Sequence, residues 1–79
     1  MTIIKLTQKD LDIEDVLNGI EDSYKYLETF INTKNIVSFA KSEEGSYVYL
    51  VTRELEVKET PEEILALIKE AENESLSGL

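Results

Sequence analysis

The stretch SYVYLVTRELEVK, residues 46–58, limits the fold of this chain more than any other segment. Its β-branched and aromatic content marks it as strand. As one strand it would run about 43 Å at roughly 3.3 Å per residue, too long for a small domain. It must therefore turn back on itself. A two-residue turn at Thr52-Arg53 pairs Val51 with Glu54, Tyr49 with Glu56 and Tyr47 with Lys58. Val48, Leu50, Leu55 and Val57 then share an aliphatic face, while Tyr47, Tyr49, Val51, Glu54, Glu56 and Lys58 share a mixed one. That division suits a half-buried antiparallel pair. Thr-Arg supplies neither Gly nor Asn for positive φ, so a bulge or a slightly longer loop is expected.

The segment that follows, ETPEEILALIKEA, opens a helix. Thr60 stands at N-cap, Pro61 at N1 and Glu63 at N3, the spacing of a capping box. Ile64, Leu67, Ile68 and Ala71 form its apolar stripe, widened by Leu65. Beyond Ala71 the pattern is lost. Residues 75–79 are expected to fray from a single domain spanning 1–74.

Upstream, TIIKLT (2–7) reads as a strand. Ile13, Val16, Leu17, Ile20, Tyr24 and Leu27 then recur at helical spacing, which predicts a helix over 12–26 capped by Asp10 or Asp12. Gly19 costs about 1 kcal/mol inside a helix and marks where it would break. LETFI and NIVSFA, within 27–41, are β-rich around a turn-like NTKN, giving one kinked strand or two short ones. SEEGS makes a turn with Gly45 available for positive φ. The expected fold is α+β in the order β-α-β-β-β-α, a three- or four-stranded, mainly antiparallel sheet. Both helices are expected on the aliphatic face, so that Tyr47, Tyr49 and Val51 stay open.

Seventeen acidic residues against eight basic ones leave a net charge of −9 over 79 residues. That field repels phosphate, which argues against direct binding to nucleic acid or to an anionic membrane. The absence of cysteine removes thiolate chemistry, and the absence of histidine removes the usual neutral-pH general base. YVYLV and ILALI are far shorter than a membrane span of roughly 20 residues. TIIKL lacks the charged n-region of a secretion signal, so a cytoplasmic location is expected.

Asp10, Asp12, Glu14 and Glu21 overlay the first, third, fifth and twelfth positions of a calcium loop. Asp15 occupies the place where that loop needs Gly, so helix capping is the preferred reading. No catalytic residue, cofactor or metal site is expected, and the chain is not read as an enzyme.

What remains is surface. Tyr47, Tyr49, Val51, Glu54 and Glu56 form the candidate protein-interaction site, since Tyr is enriched in interfaces. The bland reading of Tyr24, Tyr26, Tyr47 and Tyr49 is a set of half-packed boundary residues with hydroxyls in water. A homodimer through this face, or another protein partner, is the leading functional expectation. The acids likewise admit two readings. They solubilise the chain, or Glu54, Glu56, Glu59, Glu62 and Glu63 imitate a phosphate array and block a basic site on a host protein.

From Thr29 onward the order is strand, N-x-x-x-I-V kink, strand, Gly turn, hairpin and V-K-E-T-P-E-E-I. Asn32, Ile36 and Val37, then Val57, Glu59, Thr60, Glu62, Glu63 and Ile64, carry the pattern. In these residues the chain resembles the small FlbD-like flagellar and swarming motility proteins, and similar small phage and prophage proteins. Residues 8–26 depart from that pattern as an insertion, and the hairpin lacks an Asn-Gly or Asp-Gly turn. The resemblance implies a bacterial or phage origin and a non-enzymatic role.

Overall fold

The structure, a computed structural model, describes residues 2–21 and 23–77. Its elements follow the order β1 (Ile3–Leu11), α1 (Ile13–Leu17), β2 (Tyr24–Asn32), a 3-10 turn (Thr33–Asn35), β3 (Ile36–Lys41), β4 (Ser46–Leu50), β5 (Glu54–Val57) and α2 (Pro61–Ser77). The strands form one five-stranded antiparallel sheet in the order β2-β1-β5-β4-β3. The class is α+β as expected, with five strands instead of three or four.

The hairpin forms in a different register from the expected one. Tyr49 pairs with Glu54, Val48 with Leu55, Tyr47 with Glu56 and Ser46 with Val57. The Leu50 N–H donates to the Arg53 carbonyl at 2.7 Å, so the turn falls on Val51-Thr52 and not on Thr52-Arg53. Every partner is displaced by two residues. Because side chains alternate with period two, that displacement leaves each residue on its expected face. Val51 is the exception. It lies in the turn, where its N–H donates to the Asn35 carbonyl at 3.0 Å, and not on the Tyr-bearing strand opposite Glu54.

The larger correction concerns residues 12–26. Helix α1 lasts five residues and buries none of them. Asp12 caps its start by accepting from the Asp15 N–H at 3.2 Å. Its end is a glycine cap: the Gly19 N–H reaches the Val16 carbonyl, the Ile20 N–H reaches the Asp15 carbonyl, and Gly19 takes φ of 87°. Downstream, alternation takes over from helical spacing. Tyr24, Tyr26 and Phe30 point to one side of β2, while Leu27, Thr29 and Ile31 point to the other. Pairing with β1 then runs unbroken from Ile3↔Asn32 to Leu11↔Tyr24. The apolar stripe assigned to a packed helix is spread over an exposed hairpin tip. Only one helix packs on the sheet.

That helix is α2. Ile64 is fully buried against Ile4 and Leu6 of β1, Ile31 of β2, Val48 of β4, and Leu55 and Val57 of β5. Leu67, Ile68 and Ala71 widen the contact. The helix spans Pro61–Ser77, and residues 78–79 lie outside the described residues. The capping box is formed: the Thr60 hydroxyl accepts from the Glu63 N–H at 3.2 Å, and the Glu63 carboxylate accepts from the Thr60 N–H at 3.3 Å.

The turn from β5 into α2 is pinned from three sides. The Lys58 N–H donates to the Thr7 carbonyl at 2.9 Å. The Glu59 carboxylate accepts from the Thr7 N–H at 2.8 Å and from the Thr7 hydroxyl at 2.9 Å. Buried Ser46 donates its hydroxyl to the Glu59 carbonyl at 2.8 Å. Gly45 is adjacent, and its role differs from the expected positive φ. A Cβ at Gly45 would collide with the Val57 and Lys58 carbonyl oxygens, so glycine is required for close approach of backbone.

Two outcomes are expected in denaturant. Gly45→Ala should lower stability by about 2 kcal/mol, since relief requires displacing backbone and not a flexible side chain. Thr60→Ala and Glu63→Ala should each lower it, by about 1 kcal/mol for the cap. Unchanged midpoints for the Gly45 variant would show that the end of β5 yields freely. Unchanged midpoints for both cap variants would remove the capping box from the account.

Candidate protein-interaction surface

With α2 on the aliphatic side, the opposite side of the sheet is not covered by a helix. One cross-strand row runs Tyr26, Lys9, Glu56, Tyr47 and Ala40, and so crosses all five strands. Beside it, Tyr49 lies between Glu54 and Ser38, and Tyr24 is opposite Leu11. Tyr47 is 41% exposed, Tyr49 37% and Phe30 67%. The structure therefore places four of the five expected residues, Tyr47, Tyr49, Glu54 and Glu56, together on the open face.

Tyr24, Tyr26 and Phe30 join them; the helix expected over 12–26 takes in Tyr24 and Tyr26, and Phe30 is expected only on a β-rich LETFI. The signal was present in YKYLETFI, whose aromatics fall at alternate positions from Tyr24 to Tyr26 and again at Phe30.

Lysines separate the rings and hold them in place. The Lys9 ammonium lies 4.3 Å from the centroid of Tyr24 and the Lys58 ammonium 4.2 Å from that of Tyr26. Each contact contributes roughly 0.5–1 kcal/mol at an exposed site. Lys9 also lies 3.9 Å from carboxylate oxygens of Glu56 and Glu44. The result is an aromatic face whose local charges are interleaved.

The other acids are distributed differently from a single phosphate-like array. Glu59 and Glu63 turn their carboxylates onto Thr7 and onto the cap of α2. Glu54 and Glu56 lie on the open face, and Glu62 lies at the start of α2 behind the sheet. The would-be calcium positions do not form a loop: Asp10 lies on β1, Asp12 caps α1, and Glu21 follows the glycine cap. Asp15 accepts from the Ser23 hydroxyl at 2.7 Å. No group of three or more metal-ligating side chains occurs among the described residues. No helix among them is long and apolar enough to cross a membrane. A shallow depression of about 390 Å³ runs between Lys5 and the Glu63–Glu70 side of α2, floored in part by Ala66 and Leu67.

No family model matches the chain, and neither a curated protein nor a solved structure matches it.

Proposed function

We propose that this protein is a small non-enzymatic interaction module that binds protein through the open face of its sheet. The observation that carries the reading is the juxtaposition of Tyr47 and Tyr49 with Tyr24, Tyr26 and Phe30 on one uncovered surface. Aromatic side chains with hydroxyl tips tolerate water when alone and give up much apolar area when covered. Exposed tyrosines set among charged side chains are the composition in which partner surfaces are enriched. Lys9 and Lys58 restrict two of the rings in advance, which lowers the ordering cost of binding. Charges of both signs lie around the rings, Lys5, Lys9 and Lys58 against Glu28, Glu44, Glu54 and Glu56. The partner face is therefore one that buries aromatic rings among paired charges of both signs, and not a uniformly basic groove. On this reading the module acts by occupying its partner, a regulatory role.

The double substitution Tyr47→Ser with Tyr49→Ser separates this reading from its rival. Partner binding recovered from cells of the source organism should fall roughly tenfold or more in the double variant, with the far-ultraviolet spectrum unchanged. Between low and high salt, binding by the unmodified protein should change little. Steep loss with salt, and indifference to the two Tyr substitutions, would instead assign binding to the acidic surface.

A further inference from the structure

We infer that the outer edge of β2 is a homodimerisation strand, joining two copies of the chain into one continuous antiparallel sheet. The inference rests on main-chain geometry; it shares Tyr24, Tyr26 and Phe30 with the partner surface proposed above without depending on that reading. The Thr7 N–H and carbonyl bond to Glu59 and Lys58, on the β5 side, so the odd residues of β1 direct their main chains away from β2. Even residues of β1 therefore exchange bonds with odd residues of β2. The same phase is kept at both ends, where the Thr33 N–H donates to Thr2 and the Asp12 N–H donates to Ser23, each at 2.9 Å. It follows that Tyr24, Tyr26, Glu28 and Phe30 direct their N–H and carbonyl groups outward from the sheet. Among the described residues none of those groups has a hydrogen-bond partner outside its own strand pair.

The two sheet edges are treated differently. β3 is six residues long and carries a register shift between Ile36 and Ser38, a feature that blunts an edge. β2 is nine residues long, pairs with β1 without a bulge and contains no proline. It also exposes Tyr24, Tyr26, Leu27 and Phe30. An edge left long, regular and apolar is a template for another strand.

The occupant that fits is β2 of a second copy. With the two-fold axis at Leu27, Tyr24 faces Phe30 of the second copy, Tyr26 faces its Glu28, and Lys25 faces its Thr29. The first two pairs exchange main-chain bonds, Leu27 meets its own counterpart in a non-hydrogen-bonded pair, and no like charges face each other. Moving the axis to Glu28 would oppose two carboxylates. Moving it to Tyr26 would shorten the overlap. Charge points the same way: β2 holds one Lys and one Glu within a chain of net charge −9, so it is a neutral strip along which two copies can approach.

Light scattering on the unmodified protein should give the mass of two chains, and a monomer at millimolar concentration would overturn the inference. Because the chain has no cysteine, cross-linking reads the register directly. Non-hydrogen-bonded partners lie about 4.5 Å apart at Cα, within disulfide reach. Leu27→Cys should yield a covalent dimer on oxidation and Thr29→Cys should not; equal yields, or none from Leu27→Cys, would overturn it.

Proline at Glu28 removes only an outward N–H, so Glu28→Pro should be folded and monomeric while Glu28→Ala stays dimeric. Should Glu28→Pro fail to fold, Leu27→Glu gives the same reading by placing two carboxylates across the axis. Tyr47→Ser with Tyr49→Ser should remain dimeric. If that double variant is monomeric while Glu28→Pro or Leu27→Glu is dimeric, the edge is wrong and self-binding through the Tyr face stands.

Discussion

A single amphipathic helix has to cover a five-stranded sheet, and the rest of the structure depends on how it does so. Docking of Ile64 onto Leu6, Val48 and Val57 closes the core, and all three partners are fully or almost fully buried. A helix about 10 Å wide cannot shield both faces. The face bearing Ile4, Leu55 and Ile31 is therefore interior, and the face bearing the tyrosines is left to solvent. The aliphatic face of the hairpin favours this side, with Val48, Leu55 and Val57 set against Tyr47, Tyr49, Glu54 and Glu56 on the other. The short β5–α2 connection reinforces it, leaving the helix the near side of the sheet to fold onto.

That connection is stiff for a reason found far away in sequence. Glu59 accepts two hydrogen bonds from Thr7, fifty-two residues earlier, and Lys58 supplies a third contact to the same residue. The carboxylate takes the place of the next main-chain partner that β5 would have offered had it continued. β1 thus keeps its bonding at Thr7 even as the chain leaves the sheet to start α2. Ser46 and Gly45 close the other side, one by a hydrogen bond to Glu59 and the other by having no Cβ. The helix entry angle is set jointly by β1, β4 and the capping box.

Segments with one dominant pattern were legible from sequence. The T-P-E-E box, the α2 stripe and the face assignments of Val48, Leu55, Tyr47 and Tyr49 follow from local chemistry and period alone. The hairpin register was off by two residues because Val51 is held by Asn35, a contact between segments that no local pattern announces. Residues 12–26 were misread because two periods overlap there. Ile13, Val16, Leu17 and Ile20 fit a helix, yet L-N-G-I is also a helix stop, and Tyr24 begins an alternation that the nine-residue pairing with β1 selects. Strand pairing rewards a long-range partner that a helical stripe without a sheet beneath it lacks. The candidate surface was legible through Tyr47 and Tyr49 and enlarged by that same strand.

The hairpin of β1 and β2 also explains the molecule's shape. Its extents are 53 × 20 × 19 Å and its radius of gyration is 14.5 Å, against about 12 Å for a compact chain of this length. Pairing between β1 and β5 stops after Gln8 and Lys9, whereas pairing with β2 runs on to Leu11, so the hairpin projects beyond the core with α1 at its tip. Leu17 and Ile13 are among the most exposed apolar side chains of the described residues. Such a tip invites nonspecific association, and Asp10, Asp12, Glu14, Asp15 and Glu21 surround it with like charge. Acids are likewise concentrated along α2. Charge repulsion thus guards the tip and the helix, while the open face pairs its lysines with carboxylates and β2 holds one Lys and one Glu. In a chain this acidic, the regions spared the excess charge are where contact costs least.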